Sequence, residues 1–239
     1  MKRLDPNIRG YVGYWGSGKT LMMAAEARRR EREDPRLLIG HNFGFKARNG
    51  VELVTIKDVI DFCSVDVPGW RKLVCIDEIG SLARARSSNI FPPAADVVFG
   101  QGRKLRLSIL WTTQHWKLLD VNVRRVTDLV SECKGYGFKL VSDRGELPRR
   151  YRPRFIRVRS FYSPDPERNT LPDRPDAVEW RRFCQETADS YDTMKLVQNA
   201  QFLMAQQAVA MEGSQLLEVI QAATQLPEPP RVKRSLLRR

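Results

Sequence analysis

Two histidines and four cysteines are the whole supply of imidazole and thiol ligands in this 239-residue chain. The cysteines (Cys63, Cys75, Cys133, Cys184) show no C-x-x-C spacing, and Cys75 falls inside an apolar strand pattern. Neither a zinc site nor a disulfide scaffold is suggested, which fits a reducing cytoplasm. No apolar run approaches the ~18–20 residues that span a bilayer. The opening Met-Lys-Arg-Leu-Asp-Pro leads almost at once into a strand pattern, so no signal peptide is expected. Acids are also scarce: 28 Asp+Glu stand against 41 Lys+Arg, a net charge of +13. Such a surplus favours a polyanionic partner, nucleic acid ahead of an anionic membrane. With 42% hydrophobic and 29% charged residues, the chain has the composition of a globular protein with one full core.

Against those absences stands one complete motif. Residues 13–20 read Gly-Tyr-Trp-Gly-Ser-Gly-Lys-Thr, the G-x-x-x-x-G-K-S/T phosphate-binding loop. It follows an apolar strand, Ile8–Val12, and precedes a helix, Lys19–Glu33, that ends at Asp34-Pro35. Gly13, Gly16 and Gly18 allow left-handed backbone and close approach, so that successive N–H groups, Ser17 among them, point inward at a phosphate. Lys19 can reach the β- and γ-phosphates, and the Thr20 hydroxyl can ligate Mg²⁺. The start of the helix adds the positive end of its dipole. These residues predict a site for ATP and Mg²⁺.

The rest of the first half alternates strand and helix signals, as a mostly parallel α/β sheet flanked by helices requires. Short strands are predicted at Leu37–Ile39 and Val51–Ile56, a helix at Lys57–Cys63, and buried strands at Lys72–Ile76 and Leu107–Thr112. Thr127–Cys133 reads as the last strand of the sheet. Beyond it the texture changes. Residues 144–159 hold seven arginines and one acid, Glu146, interleaved with Tyr151 and Phe155. They read as an antiparallel pair broken near Pro153–Ile156. Residues 163–176 read as a Pro- and Asp-rich loop, and Asp176–Tyr191 and Met194–Gln225 as helices. The expected organisation is an ATPase core over 1–137, an Arg-rich strand and loop extension over 138–175, C-terminal helices over 176–226 and a basic tail over 227–239.

Lys72–Ile76 runs straight into Asp77 and Glu78. An Asp at the end of a buried strand beside a phosphate loop is placed to hold Mg²⁺ through water. Glu78 is placed to polarise a water for in-line attack on the γ-phosphate. The strand from Leu107 ends in Thr113 and Gln114, and the Gln114 amide is assigned the sensing of the γ-phosphate or the orientation of that water. His41 and His115 receive no role.

Three stretches carry a family likeness: Ile76-Asp-Glu-Ile-Gly, then Gly102-Arg-Lys-Leu-Arg-Leu-Ser-Ile-Leu-Trp-Thr-Thr-Gln, then Val123-Arg-Arg-Val-Thr-Asp. Together with the phosphate loop they resemble one branch of the FtsK–HerA superfamily. Two groups in it are similar: the zonula occludens toxin-like assembly proteins of filamentous phages, and the genome-packaging ATPases of tailless, membrane-containing icosahedral viruses. The likeness covers residues 9–133, and Tyr191-Asp192-Thr193 adds a short C-terminal match. It implies a phosphate-loop fold of the class with an additional strand and a catalytic glutamate. It also implies a ring-forming homo-oligomer, hexameric or similar, with arginines acting in trans. Arg125 is assigned that part first and Arg103 second.

The filamentous-phage group usually carries a transmembrane segment after the ATPase domain. Here the last helical stretch contains Gln198, Gln201, Gln206, Gln207 and Gln215, which bar insertion. Weight therefore moves to a motor that packages double-stranded DNA, in the host cytoplasm or at the packaging vertex of a virion. Backbone contacts without sequence readout are expected from Arg84, Arg86 and the cluster 144–159. The tail 231–239 could meet DNA, capsid or anionic lipid at the vertex, and capsid-vertex or membrane proteins are further candidate partners of the chain. The alternatives are a phage assembly or secretion ATPase and a nucleotide-gated binding module with little turnover.

Overall fold

The phosphate-loop strand sits in the middle of a sheet, with a different buried surface on each side of it. The computed structural model describes residues 7–79, 106–137, 139–141 and 150–192, and these all fall in one compact unit. The sheet runs β10-β9-β6-β1-β5-β4-β2-β3. Its strands are β1 (Ile8–Val12), β2 (Leu37–His41), β3 (Gly50–Glu52), β4 (Arg71–Ile76), β5 (Leu107–Thr113), β6 (Leu129–Tyr136), β9 (Phe155–Tyr162) and β10 (Ala177–Arg182). The six from β3 to β6 are parallel, and β9 and β10 are antiparallel additions at one edge. The pair β7 (Lys139–Val141) and β8 (Arg150–Arg152) forms a separate antiparallel ribbon.

Alternation along the buried strands explains the layering. Tyr11, Leu73, Cys75 and Leu110 face one side and pack with Leu21, Ala24 and Ala27 of α1 (Lys19–Glu33). Val12, Val74, Ile76, Ile109 and Trp111 face the other. There they meet Val59 and Cys63 of α2 (Ile56–Ser64), Trp116, Leu119, and Val123 of α3 (Val121–Arg125). Both faces being covered is why these strands read as continuous apolar runs. Gly10 makes the fit possible: a β-carbon there would lie 2.1 Å from the Trp111 ring, which lies across β1.

β5 lies between β1 and β4, so an additional strand separates the phosphate loop from Asp77, as the family likeness implied. The structure departs from expectation elsewhere. The predicted strand Val51–Ile56 ends at Glu52, because Thr55 caps α2. The Asp58 N–H donates to Thr55 Oγ1 (3.1 Å) and the Thr55 N–H to Asp58 Oδ2 (2.7 Å). β6 is not the last strand of the sheet: β9 pairs with it over eight residues. The proposed boundary at 137/138 therefore cuts through one sheet. Ala177–Arg182, expected to be helical, is strand β10. Its backbone satisfies the outer edge of β9, and that long-range pairing overrides local helix propensity. The helical signal that follows survives only as α4 (Gln185–Ala188). The expected helix Met194–Gln225, the basic tail and residues 80–105 lie outside the described residues.

Candidate active site

The loop between β1 and α1 has the backbone its glycines predict. Gly13, Gly16 and Gly18 take φ of 155°, 71° and 91°, with Gly18 the left-handed N-cap of α1. A side chain at Gly13 would meet the Cys133 carbonyl at 2.4 Å, and one at Gly18 would meet Ile156 Cδ1 at 2.4 Å. The second contact shows that the Arg-rich strand β9 buttresses the phosphate loop. Ser17 Oγ is buried without a hydrogen-bond partner, a polar atom left for a ligand. Tyr14 and Trp15 stand 73% and 81% exposed at the loop's tip, so the cradle opens to solvent.

Lys19 is buried, yet its ammonium is held at the cradle by the Tyr14 carbonyl (3.3 Å) and Glu78 Oε1 (3.5 Å). The Thr20 hydroxyl donates to Asp77 Oδ1 at 2.9 Å. These pairs link residues nearly sixty positions apart, brought together by the β1-β5-β4 order. Burial raises the Asp77 carboxyl above the usual carboxylate range, against hydrogen bonds from Thr112 and Thr20 and the Lys19 charge. Glu78 is also raised by burial, with Lys19 opposing and the Asp77 charge adding. A carboxylate poised higher than usual is a stronger base toward water.

Two residues that the motifs did not single out complete the arrangement. Thr112, fully buried, donates to Asp77 Oδ1 (2.6 Å) and accepts from the Glu78 N–H (2.9 Å). Asn42 embraces the Asp77 backbone: its Nδ2 donates to the carbonyl at 3.0 Å and its Oδ1 accepts from the N–H at 2.8 Å. Together they define a sharp turn in which Glu78 has φ 51°, left-handed for a residue with a β-carbon. Such a conformation costs on the order of 1–3 kcal/mol and persists only when its surroundings over-determine it. Thr112 stands in the run Trp-Thr-Thr-Gln, which by itself assigns it no role. Asn42, just past the end of β2, carried no local signal.

Gln114 directly follows Thr113, whose carbonyl accepts from the Gly13 N–H at 3.3 Å. It is half-buried, just past the C-terminal end of the strand that lies between β1 and β4. His115 sets its ring edge-on to Tyr14 at 5.0 Å, and His41 packs with Phe43 and Phe45. Arg125 is not brought to the site of its own chain. It ends α3, just before the N-terminal end of β6, where the Asp128 N–H donates to the Ile8 carbonyl at the edge opposite the loop. There it is exposed and paired with Glu167 at 2.7 Å. Its neighbour Arg124 is buried and donates to the Arg168 carbonyl at 3.0 Å, a structural commitment. Arg103, Arg84 and Arg86 lie outside the described residues.

No family model matches the chain, and no curated protein matches it. Among solved structures, the N-terminal domain of zonular occludens toxin from Neisseria meningitidis aligns with a TM-score of 0.52 at 19% identity. The alignment covers 78% of this chain and 98% of that domain. The chain has the phosphate-loop NTPase fold. Weaker likenesses include the genome-packaging NTPase B204 of Sulfolobus turreted icosahedral virus 2 in complex with ATP-γS. Its TM-score is 0.47 at 12% identity, covering 74% of this chain and 98% of that one. The ATPase domain of G40P gives 0.46 at 11%, covering 78% and 84%. The likeness to the zonular occludens toxin domain speaks to the fold, and the chemistry rests on the residues.

Those residues fit a magnesium-bound triphosphate. The glycine cradle, the orphaned Ser17 hydroxyl and the buried Lys19 ammonium suit phosphate oxygens. Thr20 and Asp77 present two hard oxygens side by side. Among the described residues no cluster of three or more His, Cys, Asp or Glu could hold a metal by itself. Mg²⁺ takes one or two protein ligands and completes its shell with water and phosphate, so the Thr20 and Asp77 oxygens are a sufficient protein share.

Proposed function

We propose that this protein hydrolyses ATP and couples the hydrolysis, as a ring of identical subunits, to the translocation of double-stranded DNA, packaging a viral genome. The observation that carries the reading is the joining of Lys19 to Glu78 and of Thr20 to Asp77 across the intervening strand β5. Lys19 and the loop amides bind the β- and γ-phosphates, and Thr20 and Asp77 hold Mg²⁺, which neutralises phosphate charge when bound. Glu78, steered by Thr112, takes a proton from the attacking water, and Gln114 orients that water. Arg125, at the N-terminal ends of the strands and so opposite its own site, is the first choice for an arginine acting on a neighbouring subunit. The net charge of +13 supports a polyanionic cargo.

A second reading, an ATPase of phage assembly or secretion, is favoured by the likeness to nearly the whole zonular occludens toxin domain. Among the described residues no helix is long and apolar enough to cross a membrane. One experiment separates the two. ATPase activity is measured on wild type, Lys19→Ala and Glu78→Gln, with and without duplex DNA. The motor reading expects stimulation by duplex, ATP binding without turnover in Glu78→Gln, and loss of ATP binding in Lys19→Ala. Wild-type activity indifferent to DNA at low salt would overturn the DNA cargo and leave the assembly reading.

A further inference from the structure

The far end of the sheet carries a surface that the hydrolytic reading does not use. β6, β9 and β10 pair antiparallel there, and their register sets the side chains of one face in rows. Tyr136, Phe155 and Arg182 form one row, Lys134, Arg157 and Trp180 the next, and Glu132, Arg159 and Val178 a third. The other face holds Cys133, Ile156 and Val158, buried with α1. On the outward face Phe155 is 47% exposed, Val178 53% and Trp180 59%. A lone exposed aromatic means little, but a contiguous set on one face marks a contact surface.

The rings are organised about a cation. Tyr136 and Trp180 belong to the strands flanking β9, whose backbones lie about 10 Å apart. Their ring centroids are nevertheless only 5.2 Å apart, at 50° to each other, so the rings lean together across β9. The Arg157 guanidinium and the Lys134 ammonium each lie 5.7 Å from the centre of the Tyr136 ring. Arg157 Nε is buried there with no hydrogen-bond partner. The one acid in the three rows, Glu132, is engaged by Arg159 at 3.0 Å. Lys134, Arg157 and Arg182 therefore present positive charge interleaved with three aromatic rings.

We infer that this face binds single-stranded nucleic acid, with unpaired bases stacking on Trp180, Tyr136 and Phe155 and backbone phosphates meeting Lys134, Arg157 and Arg182. A π-face is offered to any base, so the contact needs no sequence readout. In a duplex those base faces are occupied by neighbouring pairs, so the rings select unpaired strands. A second copy of the chain is a poor occupant, because a two-fold contact sets the same cations against each other. The inference goes beyond duplex translocation and stands without it.

The test is fluorescence anisotropy of labelled oligo-dT, oligo-rU and a duplex of equal length, titrated with the full chain in the absence of ATP. Either single strand should bind more tightly than the duplex. Trp180→Ala should weaken single-strand binding roughly 5- to 100-fold, and Trp180→Phe should recover most of it, because any ring can stack. Trp180 is exposed, and thermal melts of both variants verify folding. Equal affinity for duplex and single strand, with Trp180→Ala within twofold of wild type, would overturn the inference in favour of charge alone. A Trp180→Ala variant that keeps its nucleic-acid affinity but loses self-association in sedimentation would also overturn it, by making the face a contact between copies. ATPase activity is read separately, so a failure here is distinct from a failure of the proposed hydrolysis.

Discussion

Thr112 holds the two acids of the site to each other. Its hydroxyl can donate to Asp77 and accept from the Glu78 N–H at once because a hydroxyl is both donor and acceptor. Valine has the same shape without either capacity, and leaves the buried Asp77 oxygen one donor short. Thr112→Val is expected to lower ATP turnover at least about tenfold while changing KM for ATP little, with Tm falling by a few degrees. Thr112→Ser should keep most of the activity. Steady-state kinetics beside thermal melts check this, and an unchanged turnover number in Thr112→Val would remove Thr112 from the positioning of Glu78. The strained φ of Glu78 belongs at the same scale, since Thr112, Asn42 and Lys19 together hold it.

Among the elements, α1 is both the floor of the phosphate loop and a carrier of buried charge. Glu26 is pushed up by burial but pulled down further, to about 2, by hydrogen bonds and charge from Arg29 and Arg30. Its carboxylate lies 2.7 Å from Arg29 Nη2 and 2.8 Å from Arg30 Nε. The folded-state value lies below the unfolded one, so this group's stabilisation is complete above about pH 4.5 and is lost as pH falls toward 2. Denaturant melts should therefore show wild-type stability declining across that window. Glu26→Gln should cost about 2–3 kcal/mol at pH 7 and flatten the decline. Identical pH profiles for the two proteins would rule out this pairing as a source of stability. α1 itself was fully legible in sequence, from Gly18 and Lys19 to Asp34-Pro35. β10 was not: Ala177–Arg182 has no strong local period and becomes a strand by pairing with β9.

For the molecule as a whole, the surplus of 41 Lys+Arg over 28 Asp+Glu means that the proposed duplex binding would be driven by counterion release. Duplex affinity is expected to fall linearly in log Kd against log salt, with a slope of about 4 or steeper, corresponding to four or more neutralised phosphates. Filter binding or anisotropy over a salt series measures it. A slope near zero would make the +13 charge a solvated surface and nothing more. The same measurement on oligo-dT should give a shallower slope, because stacking on the β6-β9-β10 face is less sensitive to salt than phosphate contact.

The amino-acid sequence by itself determined the phosphate loop, the strand that ends in Asp77 and Glu78, and the α/β class. These signals are local: a glycine spacing, an apolar run with its terminal acids, and an alternation of periods. Only the tertiary structure decided that Thr112 and Asn42 clamp the acids, that β9 buttresses Gly18 through Ile156, and that Arg125 lies at the opposite edge from its own site. It also decided that Tyr136, Arg157 and Trp180 share one face. Each of these depends on strand pairing between residues some twenty to over a hundred positions apart. Strand pairing is specified by burial summed over a whole face, not by any residue's neighbours in the chain.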